Sequence, residues 1–353
     1  LHEQQKVTAS IDGWNLPQNT LELNADSAET TVHQTCLQKD RFISYTIPFA
    51  VGTLPEQNES DSNDTVKTAQ KVPFPVIVNG RIESDADTDV FRIDGKAGQP
   101  IVAEVFARRL NSPVDALLRL TDAAGTVIAW NDDYVVRDDE YLYKDTLGLM
   151  THHADAYLSA TLPETGIGFI HITDAQNHGG PAYGYRLRIS PPQPDFQLRA
   201  TPSGYAINTG YIVPVTIHVL RLDGFNGDIE IAVKDPSSGF TIQGGRIPPG
   251  CDRIRVTLQA PENAPKEPVD LKLEGRAVVN GQTICRPVVP AEDRMQAFLY
   301  RHLVPAQSFM VEVRPRGWTP PPISLADSIP ISIPQGRVAK VLLKTPRRPI
   351  LKE

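Results

Sequence analysis

Alternation with a period of two is the feature that most restricts this chain. Over Tyr183–Ser190, the residues Tyr183, Tyr185, Leu187 and Ile189 fall on one side while Arg186 and Arg188 fall on the other. Successive strand positions point to opposite faces, so this spacing predicts a half-buried β-strand. Strand-like runs precede it at short intervals: Val76–Ile82, Val90–Ile93, Ile101–Ala107, Ala116–Thr121, Val127–Trp130, Tyr157–Leu162 and Gly168–Thr173. Turn signals separate them, with DGKAG at 94–98, DAAG at 122–125, LPETG at 162–166 and NHGGP at 177–181. Short strands punctuated in this way imply an all-β, jelly-roll or Greek-key β-sandwich. A helix is expected in this region only over Thr65–Gln70, behind the capping residues Asn63 and Asp64.

The 353 residues exceed one ordinary domain, and 40% apolar content is enough for each of several to bury a core. Residues 1–52 read as partial immunoglobulin-like strands, including VTASIDGW, TLELN and an alternating Phe42–Phe49. Residues 53–192 hold the strands described above. The prolines at 191, 192 and 194 stop a ladder and stiffen a linker. Residues 193–315 then carry the alternating sets Val213, Val215, Ile217, Val219 and Ile254, Val256, Leu258, the strand content of an immunoglobulin-like sandwich. One exception is expected there: Met295, Phe298, Leu299, His302 and Leu303 fall at helical spacing and suggest a short packed helix or wrapped loop. Residues 316–353 form a proline-rich basic tail, or the start of a further β domain, with a strand-like stretch over 337–343.

Charge is uneven. The net charge is -7, yet from Arg314 to Glu353 eight basic residues face two acidic ones, so the preceding body is strongly acidic. That body argues against nucleic acid as the main partner. Between Thr53 and Asp94 stand nine Asp/Glu and four Lys/Arg, gathered in two clusters around Glu59–Asp64 and Asp85–Asp89. Like charge at this density must be solvated, paired or bound to a cation. Oxygen-only ligands on flexible segments suit a hard ion such as calcium. An EF-hand is excluded, because Val90 stands where that loop requires glycine and Lys96 where it requires a bidentate glutamate. The other reading is solvated turn and cap residues.

The central region resembles the bacterial pre-peptidase C-terminal domain family. The matching elements are Glu59-Ser60-Asp61-Ser62-Asn63-Asp64-Thr65, Asp87-Thr88-Asp89-Val90-Phe91, the turn Gly95–Gly98, Asp115 with Leu118 and Leu120, Asn131-Asp132-Asp133, and Tyr185-Arg186-Leu187. They cover roughly residues 56–190. Asp61 and Ser62 depart from the family's glutamate and proline, and residues 134–155 form an insertion. The resemblance implies a jelly-roll module of an exported bacterial protein. It also implies calcium ligands at Glu59, Asp61, Asn63, Asp64, Asp87 and Asp89; Asp85 joins them as a candidate from this sequence only.

No GxSxG, HExxH or P-loop pattern occurs. The alternative is a hydrolase with a site in the insertion, where His152, His153 and Asp155 would join Asp132 or Asp133. Adjacent histidines on a strand point apart, so a polar loop covering a sandwich edge competes with that reading. Trp130, Tyr134, Tyr141 and Tyr143 gather around the same insertion and suit sugar or peptide stacking as well as packing. Cys36, Cys251 and Cys285 show no zinc spacing; Cys251 and Cys285 either form a bridge or stay as buried free thiols. No run is apolar enough to cross a bilayer as a helix, and the chain opens on Leu1 without a leader, so a processed chain or excised fragment is expected. The expected role is a non-catalytic extracellular or cell-surface module without membrane insertion. Its partners would be neighbouring domains of the same polypeptide and an extracellular protein or polysaccharide.

Overall fold

The structure, a computed structural model, describes residues 6–11, 13, 15–24, 32–60, 62–133, 155–295, 301–315, 324–326 and 338–344. Among these the fold is all-β, interrupted only by turns and single 3-10 turns at Arg108–Leu110 and Pro236–Ser238. No helix among the described residues is long and apolar enough to cross a membrane.

The first strands are short. β1 (Lys6–Ser10) pairs with β2 (Thr20–Asn24), β3 (Val32–Thr35) with β6 (Ile47–Ala50), and β4 (Gln38–Lys39) with β5 (Phe42–Ile43). Leu21, Leu23 and Leu37 form their small apolar cluster. The expected continuous strand over Phe42–Phe49 is broken at Ser44–Thr46. There the Ser44 backbone N–H donates to the Leu37 carbonyl, and the Ser44 hydroxyl takes the Leu37 N–H, each at 2.9 Å, leaving Tyr45 exposed.

Ten strands then build a sandwich: β7 (Glu56–Asn58), β8 (Gln70–Val72), β9 (Val76–Arg81), β10 (Thr88–Asp94), β11 (Pro100–Phe106), β12 (Ala116–Thr121), β13 (Val127–Asn131), β14 (Tyr157–Thr161), β15 (Ile167–Asp174) and β16 (Gly184–Ser190). One sheet runs β13-β12-β15-β10-β8 and the other β14-β11-β16-β9-β7. All pairs are antiparallel except β7 with β9 and β8 with β10. The alternation places Tyr185, Leu187 and Ile189 against Val78, Phe91, Ile101, Leu118 and Ile170 in one apolar core. Instead of the expected helix, residues 65–69 make a turn in which the Thr68 N–H donates to the Thr65 carbonyl at 3.0 Å, and Gln70 already opens β8. The side-chain hydroxyls of Thr65 and Thr68 bond each other at 2.9 Å and close that turn before a helix can extend.

β7 is fastened by charge. Arg186 on β16 donates to both Glu56 oxygens, at 2.8 and 2.9 Å, and to the Asn79 side chain at 3.0 Å. Burial, which opposes ionisation, is outweighed by Arg186 and Asn79, and the Glu56 carboxyl is held down at about 2. A depressed carboxyl contributes stability above its unfolded value of about 4.3 and loses it as pH falls through the folded value. Acid melts should therefore show about 1 kcal/mol lost between pH 4.5 and 2, a figure kept small because Glu56 retains 23% side-chain exposure. Glu56→Gln should flatten that part of the pH profile, and an unchanged profile would refute the assignment.

A second, separate core follows. β17 (Asp195–Thr201), β18 (Gly204–Asn208) and β19 (Ile212–Leu222) begin it. β17 and β19 lie centrally in a sheet completed by Thr241–Gln243, Arg253–Gln259, Gln282–Met295, Leu273–Val279, Ile229–Val233 and Arg246–Ile247, with Arg301–Pro305 paired to Gln282–Met295. β18 joins Met310–Arg314 and Val269–Asp270 in a three-stranded sheet. Phe196, Leu198, Ile217, Phe240, Leu258 and Val311 fill the space between. The expected helix around Met295–Leu303 is a pair of antiparallel strands, with Ala291 opposite Pro305 and Asp293 opposite Leu303; residues 296–300 lie outside the described residues. Of the residues in that helical spacing, Leu303 is buried on one of these strands. All three cysteines are free, and none is fully buried. Among the described residues of the tail, Ser324–Leu325 pairs with Leu343–Lys344, and 338–342 is not a strand.

Candidate metal centre

Topology brings the two acidic clusters together at one end of the central sandwich. Parallel pairing of β7 with β9 ends at Asn58 opposite Asn79, and the Glu59 N–H continues it by donating to the Asn79 carbonyl at 2.9 Å. The Glu59 side chain then folds over β9, where its Oε2 accepts the Arg81 N–H at 2.6 Å. Gly80 makes the room. A Cβ there would overlap both the Glu59 carboxylate and the Tyr185 hydroxyl, which stands opposite Gly80 on β16.

Asp89 shares the strand parity of Phe91 and Ile93, so it points inward at the mouth of the sandwich and is 1% exposed. Its Oδ2 accepts the Tyr185 hydroxyl at 2.7 Å. Burial, the adjoining Glu59 carboxyl and the charge of Asp87 push the Asp89 carboxyl up to about 10. Burial and the same two acids, Asp89 and Glu59, raise the Tyr185 phenol well above its ordinary value. At neutral pH Asp89 therefore holds a proton that a bound cation would displace.

Asn63 is tied to β10 one residue beyond Asp89. Its carbonyl accepts the Val90 N–H at 2.9 Å, which fastens the opening segment to β10. The side chain is 1% exposed, and neither its amide nitrogen nor its amide oxygen has a partner. A buried amide in that condition costs free energy unless something takes its oxygen. A hard cation is one such acceptor-seeking group.

The remaining candidates divide. Asp87 is half-buried, acts on Asp89 through its charge, and accepts the Glu83 N–H at 2.7 Å in the turn before β10. Asp85 turns the other way, to the Gly179 N–H at 3.3 Å, and Asp64 is exposed. Asp61 lies outside the described residues. Among the described residues no group of three or more His, Cys, Asp or Glu side chains converges as a metal cage. The residues that would meet a cation are the adjoining Glu59 and Asp89 carboxyls, with Asn63 held through its backbone to Val90, the residue after Asp89. Tyr185 and Gly80 were not expected from the sequence, because an inward tyrosine and a strand glycine both read as packing.

The alternative acid-base site fares differently. Asp155 is buried, and its two oxygens accept four donors: the N–H groups of Ala107, Arg108 and Arg109 at 3.0, 2.6 and 3.2 Å, and Arg109 Nε at 2.7 Å. It organises the turn at Arg108–Leu110 and has no lone pair to spare for catalysis. His152 and His153 lie outside the described residues. A cleft of about 370 Å³ opens beside Gly80, lined by Phe49, Asn79, Ser112, Tyr185 and Arg186 among others and by no Asp, Glu or His.

Neither a protein-family model nor a curated protein matches the sequence. Several solved structures show likeness, three of which are the following. The pre-peptidase C-terminal domain of collagenase from Bacillus anthracis is 11% identical, with a TM-score of 0.25, over 35% of this chain and 94% of that one. A DUF4785 family protein from Legionella pneumophila is 11% identical, with a TM-score of 0.20, over 72% and 68%. The N-terminal four immunoglobulin domains of Dscam1 isoform 4.44 are 10% identical, with a TM-score of 0.17, over 88% and 66%. These values assign no role to any residue here, and the description of the chain rests on its own geometry: an all-β protein of two sandwich cores with an acidic, partly buried cluster at the mouth of the first.

Proposed function

We propose that the chain is a non-catalytic accessory module of an exported bacterial protein, with a pre-peptidase C-terminal-like sandwich at 53–192 and an immunoglobulin-like one at 193–315. Calcium would tie the entry of the first sandwich to its core through Glu59, Asn63, Asp87 and Asp89, with Asp61 on the same segment. The module would orient neighbouring domains and dock an extracellular protein or polysaccharide. The observations that carry this reading are the Glu59–Asp89 pair and the buried, unpartnered amide of Asn63, whose backbone bonds Val90 next to Asp89. A cation bound by the Glu59 and Asp89 carboxyls would displace the Asp89 proton, and the Asn63 amide oxygen is a further ligand of the kind a hard ion takes.

Thermal melts of the whole chain in calcium and in chelator test it. Calcium at a hundredfold excess over its Kd should stabilise by about 2.7 kcal/mol. Asp89→Asn should leave the chelator melt nearly unchanged, since the native side chain is already neutral there, while removing the calcium response. Equal melts with and without calcium would end the proposal.

A further inference from the structure

The outer face of the sheet β13-β12-β15-β10-β8 has an unusual row. Leu118 and Leu120 of β12 and Ile170 and Ile172 of β15 enter the core, so Arg119 and His171 point outward. Register places Trp130 opposite Arg119, and Arg119 opposite His171. Trp130 is 62% exposed, and Ile128 beside it is also exposed. Among the described residues the Arg119 side chain has no hydrogen bond and no ion pair, and its Nε is buried without an acceptor. His171 bonds the Thr121 hydroxyl at 2.9 Å and is held neutral, at about 4, by burial and by the Arg119 charge. The cation therefore lies between a neutral imidazole and an open indole, with no counter-ion among the described residues.

We propose that Trp130 and Arg119 form a binding site for an acidic polysaccharide, the indole stacking on a sugar ring and the guanidinium pairing with a uronate carboxylate. Paired strand positions lie about 5 Å apart, the span of one pyranose ring, so a single uronic acid supplies both contacts. A peptide added along the β13 edge would meet main-chain groups there, whereas Arg119 stands one strand inward and asks for a ligand lying over the face. The chain's net charge of -7 disfavours unspecific attraction to a polyanion. The proposal rests on the accessory-module reading and names its ligand class.

Calorimetry of the whole chain would use oligogalacturonides too short to gel with calcium, their methyl esters, and neutral malto-oligosaccharides. The free-acid oligomers should bind, and the other two at least tenfold more weakly. Trp130→Ala and Arg119→Gln should each weaken binding at least tenfold with unchanged melting temperature, and Arg119→Lys should recover part of it. Absence of uronate binding overturns the proposal, as does equal binding of the esters. Binding indifferent to both substitutions would belong to the basic tail and overturns it too. Trp130-dependent binding of gelatin in place of uronates would assign the face to peptide, with the same consequence. The calcium melt involves neither residue, so a calcium-stabilised chain that ignores uronates loses this proposal alone. A uronate-binding chain indifferent to calcium loses only the metal reading.

Discussion

Replacing Asp155 with alanine is expected to lower the stability of the central sandwich by about 4 kcal/mol. The carboxylate sits between β11 and β14, takes three successive backbone N–H groups and pairs with Arg109. Removing it leaves the Ala107, Arg108 and Arg109 donors facing a void, each costing on the order of 1 kcal/mol or more. Arg109 keeps Glu104 at 2.9 Å and the Val105 carbonyl at 2.6 Å, so its charge is not abandoned outright. Asp155→Asn should be intermediate, because one amide hydrogen must meet an N–H donor. Denaturant melts measure this, and an alanine variant within 1 kcal/mol of the parent would refute it. The same experiment separates the structural role from the catalytic one. Residues held for chemistry commonly cost stability, so their removal is neutral or stabilising.

What could be read from the sequence depended on how local the determinant was. The alternation at Tyr183–Ser190 is written within eight residues, and the structure turns Tyr185, Leu187 and Ile189 inward as that pattern requires. β7 and β8 were not legible: each is three residues long and joins a parallel neighbour, so neither period nor hairpin signal marks it. The helical spacing around Met295–Leu303 failed at its two ends, because Met295 and Leu303 stand on paired strands at an interval that a helix also produces. In the candidate centre, acid density pointed to Glu59, Asp87 and Asp89, but it could not separate them from Asp85, whose direction is set by Gly179 far along the chain. Asp155 was legible only as a charge near histidines. Its partners lie 46 to 48 positions earlier, and no local pattern encodes that distance.

The junction between the two sandwiches should be the second large effect. Asp223, at the end of β19 with φ of 48°, reaches back to the central sandwich. It accepts Arg188 Nη1 at 2.8 Å, Arg188 Nη2 at 3.1 Å, the Tyr157 hydroxyl at 2.8 Å and the Gln193 N–H at 2.6 Å. Its side chain is 2% exposed. Burial, which would raise its carboxyl, is outweighed by Arg188, Gln193 and Tyr157, which together lower it from its ordinary value. Arg188 also holds Glu104, which holds Arg109, which holds Asp155, so charges of alternating sign run from the second core into the first. Asp223→Ala should cost about 3 kcal/mol, because it takes an acceptor from the Tyr157 hydroxyl and the Gln193 N–H and halves the pairing of a buried guanidinium. Aspartate tolerates the left-handed backbone better than alanine does, which adds to the loss. Arg188→Met should cost a similar amount, while the double variant should cost less than the sum by more than 1 kcal/mol, the signature of a direct pair. Because this contact couples the cores, a single thermal transition in the parent should separate into two in Asp223→Ala. Additive costs in the cycle, with one undivided transition in every variant, would show that the two sandwiches do not depend on this contact for their orientation.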